Sequence, residues 1–102
     1  MFDYIRGKVT NKKVDYVTLD VNGIGYKIHI SINTFDKVKE SEVRLYIHNY
    51  VREDAFILYG FYDENEREFF EKLLSVSGVG AKLAIAILST FKSTTVTLMC
   101  GH

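Results

Sequence analysis

Leu73-Leu74-Ser75-Val76-Ser77-Gly78-Val79-Gly80-Ala81-Lys82-Leu83-Ala84-Ile85-Ala86-Ile87-Leu88 is an apolar run that enters a Gly-Val-Gly turn, and a second apolar run leaves it. Glycine on both sides of one small aliphatic residue lets the backbone turn tightly and leaves consecutive N–H groups open at the start of the next helix. Such a terminus, with unpaired donors and the positive end of the helix dipole, suits a phosphate. Lys82, just inside that helix, adds a full positive charge beside the same anion. Leu73 and Val76 before the turn, Val79 within it, and Leu83, Ala84, Ile87 and Leu88 after it give each short helix one apolar face. The pattern reads as a helix-hairpin-helix, a clamp on a nucleic-acid backbone that ignores base sequence. It equally suits a plain tight turn that packs one helix on another. A dinucleotide-binding fingerprint is excluded, because it needs a third glycine where Leu83 stands and a preceding strand where the chain reads as helix.

Upstream of this stretch, Asp63 stands where a helix can begin, and Glu66 three residues on makes a capping-box-like pair. Phe69, Phe70, Leu73 and Leu74 form the expected buried stripe, with Glu64, Arg67, Glu68, Glu71 and Lys72 on the solvated side. Before residue 63 the period changes from helical to alternating. Residues 1–9 (Phe2, Tyr4, Ile5, Val9), 16–21 (Val17, Leu19 and Val21 opposite Thr18 and Asp20) and 25–32 (Tyr26, Ile28, Ile30 and Ile32 on one face) read as strands. So do residues 42–52, with Val43, Leu45 and Ile47 opposite Arg44, Tyr46 and His48, and residues 55–62. Asn22-Gly23 is a strong hairpin signal, Glu53-Asp54 makes another turn, and residues 31–39 form a short connection with about one helical turn.

Five short strands with no long helix between them and no proline predict a small closed or nearly closed barrel, and the strand count favours an OB-fold. The expected architecture is mainly β with a C-terminal α appendage. It divides into a barrel at 1–62, a partial helix-hairpin-helix at 63–91 and a divergent tail at 92–102. In that tail Ser93-Thr94-Thr95-Val96-Thr97 is β-branched and polar, and Leu98-Met99-Cys100-Gly101-His102 lacks helical spacing.

Apolar residues make up 47% of the 102 residues and aromatics 14%, which is enough for a packed core and speaks against disorder. The 13 basic and 13 acidic residues cancel, so a nucleic-acid reading rests on local charge placement. The single cysteine, Cys100, cannot close an internal disulfide, which fits a reducing cytosol. No apolar run approaches transmembrane length and no signal-peptide pattern opens the chain, so a soluble cytoplasmic protein is expected.

Glu53 and Asp54 sit side by side at a hairpin tip. Either they form an ordinary solvated turn, or they repel phosphates and steer strands apart at a branch point. Acid–base catalysis does not suit them, since adjacent exposed residues have nothing to split their proton affinities. His29, His48 and Cys100 lack metal-ligand spacing. Cys100 and His102 lack the rigid support a nucleophile pair needs. No catalytic residue, metal or cofactor is expected. Arg44, Tyr46, His48, Tyr50 and Arg52 alternate charge with rings along one strand face, as single-strand-binding OB surfaces do, and as an outer barrel face or subunit interface also does.

Tyr4-Ile5-Arg6-Gly7, Ile24-Gly25-Tyr26, Val51-Arg52-Glu53-Asp54-Ala55, Leu58-Tyr59-Gly60-Phe61 and the stretch from Gly78 to Leu88 fall in the order and spacing of the RuvA family. Over about residues 1–91 the chain resembles these DNA-binding subunits of the bacterial Holliday-junction branch-migration complex. The resemblance implies an OB-fold that assembles a four-fold homotetramer, or an octamer of two, with four-way junction DNA across its concave face. It implies a role in recombination, DNA repair and the SOS damage response. Glu53 and Asp54 correspond to the family's acidic pin. Gly78, Val79, Gly80 and Lys82 correspond to its first helix-hairpin-helix, and Arg52 to a contact near the pin. The family member does no chemistry itself; its partners are the RuvB ATPase and the RuvC nuclease. The family's second hairpin and ATPase-docking domain have no counterpart here. A truncated or divergent product is therefore expected, and the alternative is a tetramerising barrel that binds DNA weakly or not at all.

Overall fold

In the computed structural model, which describes residues 1–90, strict alternation builds the barrel. Val17 and Leu19 on β2 (Tyr16–Val21), Ile28 and Ile30 on β3 (Ile24–Ile30), and Val43, Leu45 and Ile47 on β4 (Glu42–Arg52) all turn inward. With Ile5 of β1 (Tyr4–Lys12), Leu58 of β5 (Ala55–Phe61) and Val38 they make one core. The sheet closes in the order β1-β2-β3-β5-β4. β4 returns antiparallel to β1, from Tyr4 opposite Tyr46 to Lys8 opposite Glu42. β3 and β5 form the parallel seam, with Ile28 opposite Leu58 and Ile30 opposite Gly60. Five strands closed this way, with α1 (Ile32–Lys37) between β3 and β4, are the expected OB-fold barrel.

Local chemistry explains the connections. Asn22 and Gly23 both take positive φ, 53° and 88°, as the mirror-image hairpin turn requires, and the Gly23 N–H donates to Asp20 Oδ1 at 2.9 Å. β1 starts later than the sequence suggests and runs on to Lys12, past an irregularity between Val9 and Asn11. β3 stops at Ile30, because Ser31 caps α1 by accepting the Thr34 N–H at 3.2 Å. Ile32 therefore leaves the strand face and is exposed.

A second core joins the helices to the outside of the barrel. Phe70 of α2 (Glu64–Leu74) lies against Phe61 (ring centroids 5.0 Å), Tyr59 (5.3 Å) and His48 (5.3 Å). Ala81, Ala84 and Leu88 of α3 (Ala81–Ser89) complete it.

Four side-chain expectations for this part are corrected. Asp63 occupies the N-cap of α2, but its carboxylate pairs with Lys37 of α1 and caps no backbone N–H. Glu66 does not close a capping box; it is 3% exposed and accepts hydrogen bonds from Ser31 Oγ (2.6 Å) and Thr34 Oγ1 (2.7 Å). Arg67 is not solvated: it lies over the Tyr46 ring and donates to the Asp3 carboxylate and the Ile47 carbonyl. Val76 and Leu83 are exposed, because α3 turns Ala81, Ala84 and Leu88 to the core and Val76 lies in the connection before it. The whole tail assigned to residues 92–102, with Cys100 and His102, lies outside the described residues.

Candidate nucleic-acid interface

β4 and β5 pair to their last residues, Arg52 opposite Ala55, so Glu53 and Asp54 alone make the hairpin tip. Both carboxylates are exposed, and among the described residues neither has a hydrogen-bond or ion-pair partner. The tip presents two uncompensated negative charges.

The chain enters α3 through Gly78, whose φ of +85° is disfavoured for a residue with a Cβ. Val79 packs into the second core and anchors the turn. Gly80 is the N-cap and no side chain caps the first turn; the first helical bond runs from the Ala84 N–H to the Gly80 carbonyl at 2.9 Å. The N–H groups of that turn and the positive dipole end therefore face outward. Lys82 projects from it and forms no ion pair among the described residues.

The fold sets this helix end against the barrel. A groove of about 390 Å³ runs between Tyr50, Arg52, Ile57 and Tyr59 of the β4–β5 hairpin and Gly80, Ala81, Lys82 and Leu83 of α3. Ile57, Tyr59 and Lys82 also line a neighbouring section with Asp15, His29 and Ile85. Arg52 lies over the Tyr50 ring at 5.6 Å and, like Lys82, forms no ion pair among the described residues. Burial lowers the His29 pKa, helped by the Lys27 and Lys82 charges and opposed by Asp15. The groove's positive charge thus comes from Lys82 and Arg52. Burial also raises the Tyr59 pKa, with Tyr50 adding to it, which keeps that phenol protonated.

Gly80 and Lys82 of the turn sequence and Arg52 are thus brought to one groove, and Arg52 connects that groove to the Glu53-Asp54 tip. The alternating row on β4 is not brought together. Arg44 lies over Tyr4 at 4.6 Å, Tyr46 sits under Arg67, and His48 Nδ1 pairs with Glu71 Oε2 at 2.8 Å, leaving only Tyr50 and Arg52 in the groove. Sequence reasoning missed Tyr59 and considered His29 only as a metal ligand. The signal that unites them is the parallel register placing His29 opposite Tyr59. Among the described residues no group of three or more His, Cys, Asp or Glu could hold a metal, and no helix is long and apolar enough to cross a membrane.

Comparison with known proteins gives the same two parts. The family model of the RuvA N-terminal domain matches residues 1–60, and that of a SAM-like helix-hairpin-helix tandem matches residues 70–97. The Holliday junction branch migration complex subunit RuvA of Fusobacterium nucleatum is 42% identical over 92 residues, covering 89% of this chain and 47% of that protein. Those of Exiguobacterium and Clostridium tetani are each 46% identical, over 90 and 91 residues, covering 88% and 87% of this chain and 46% of each relative. The chain spans about half the length of the curated relatives it matches.

Proposed function

The chain belongs to the RuvA N-terminal domain family, and from that premise we propose that it is a non-catalytic, structure-selective scaffold for four-way junction DNA in recombination and repair. One observation carries the proposal. Two cations without an ion-pair partner among the described residues share a groove with an uncapped helix N-terminus, and one of them, Arg52, also borders the two unpaired carboxylates of the tip. Attraction beside repulsion suits a strand that must be held on one side and turned away on the other, as at a crossover; a uniform duplex needs only the attraction.

In this reading Gly78, Val79, Gly80 and Lys82 hold arm phosphates, Arg52 guides the strand, and Glu53 with Asp54 is the pin that keeps backbones apart. Residues 1–62 are the assembly and junction-binding barrel, and residues 63–91 half of the clamp. Four copies arranged about one axis bring four pins to the crossover. Branch migration is then driven by a separate ATPase and cleavage by a separate nuclease, RuvB and RuvC in the family, all in the cytoplasm with the chromosome.

The test is junction binding by the Glu53→Gln, Asp54→Asn double variant. Loss of two negative charges at the crossover tightens binding several-fold and reduces the preference for junction over duplex. Unchanged affinity and preference would show that the tip is a plain turn.

A further inference from the structure

Tyr59 is 6% exposed, and its ring is enclosed by Phe70 (centroids 5.3 Å), His29 (5.7 Å) and Tyr50 (6.0 Å). Among the described residues its hydroxyl bonds no protein group and no fully buried side-chain polar atom is left unpaired, which leaves the hydroxyl as an open donor there. Tyr59 lines both sections of the groove, each time beside Lys82. A phenol this enclosed usually finds a protein partner for its O–H. Here the residue that carries the open donor lines the same groove as Gly80, Ala81 and Lys82, where the first turn of α3 and the lysine already favour an anion.

We propose that the Tyr59 hydroxyl is a DNA contact: with Lys82 and the α3 N-terminus it completes a seat for one backbone phosphate. The inference deepens the junction-binding reading and rests on it. The phenol is suited to the task because burial keeps it protonated, so it donates at any pH at which DNA is bound. The ring is pre-ordered by its neighbours, so donating costs little side-chain entropy. A hydrogen bond from a neutral donor to a phosphate oxygen adds affinity but displaces no counterion.

Tyr59→Phe tests it, because it removes one oxygen and keeps the buried ring. The variant and Lys82→Gln are titrated with a labelled four-way junction across a salt series, alongside a thermal melt. Tyr59→Phe is expected to melt like the parent and to bind about ten-fold more weakly at every salt concentration, with an unchanged salt slope. Lys82→Gln is expected to lower the slope by about one ion. Parental affinity for Tyr59→Phe, or a slope reduced like that of Lys82→Gln, overturns the assignment. A markedly lowered melting temperature also overturns it, by placing the hydroxyl in the fold. If the parent protein itself does not bind the junction, the underlying reading fails and this one with it.

Discussion

Ser31 Oγ and Glu66 Oε2 lie 2.6 Å apart across 35 residues of chain, joining the cap of α1 to the first turn of α2. The other carboxyl oxygen accepts from Thr34 Oγ1, whose oxygen also receives the Tyr62 N–H at 3.2 Å. α1 holds the far helix too: the Ile32 N–H donates to Ser89 Oγ at 3.1 Å and Asn33 Nδ2 to the Leu88 carbonyl at 2.7 Å. One short helix thus bonds the beginning of α2 and the end of α3, which sets the hairpin between them relative to the barrel.

Glu66→Ala should therefore be costly, since it strands two buried hydroxyls and opens a cavity, about 2–4 kcal/mol in all. Glu66→Gln should cost under about 1 kcal/mol, because the amide can accept from one hydroxyl and donate to the other. Urea denaturation of both variants checks the order; equal losses would mean the contacts carry little.

Gly60 sits on the parallel seam, where an added Cβ would meet Ile28 Cγ2 at 2.4 Å and Leu45 Cδ1 at 3.2 Å. Gly60→Ala should destabilise the barrel by about 1–3 kcal/mol through overpacking. Gly78→Ala meets no neighbour but keeps a φ of +85°, so its cost is backbone strain of about 1–2 kcal/mol. Chemical denaturation separates them by site: DNA binding by Gly60→Ala should recover under fully folding conditions, whereas that of Gly78→Ala should stay reduced because its turn is altered.

His29 gives a pH prediction. Its pKa is lowered in the folded chain, by burial first and then by Lys27 and Lys82. The unfolded chain therefore binds the proton more readily. The contribution of His29 to stability is intact above the unfolded pKa of about 6.5 and is lost as the pH falls toward the lower folded value. Lys82→Gln removes one of the lowering charges, so the His29 pKa should rise part of the way toward 6.5, with burial and Lys27 still holding it down. An NMR titration of the His29 ring proton measures this. No change on substitution would place Lys82 away from the ring.

The barrel was legible because alternation on a two-sided sheet writes itself into the chain. β2 and β4 read from the sequence with the bounds they have, and Asn22-Gly23 marked its own turn. Closure was not legible in detail, since pairing β3 with β5 joins residues such as His29 and Tyr59 that no local pattern links. The helices were read correctly in place but less well in orientation. Spacing of three residues made Glu66 look like a capping partner, and only the position of α1 reveals that the carboxyl points inward. Ala81 to Leu88 is apolar nearly all round, so periodicity alone could not choose between a stripe through Leu83 and one through Ala81 and Ala84. The groove depends on both the closure and the helix orientation, which is why its residues were named singly and not as a site.

The most direct measurement is equilibrium binding of a labelled four-way junction across a salt series, with linear duplex of the same sequence as competitor. The junction should be bound more tightly than the duplex, with affinity falling linearly on a log–log plot as salt rises, as phosphate contacts require. Equal affinity for both DNAs, or no salt-sensitive binding, would contradict this and leave an assembly domain whose groove does not hold DNA.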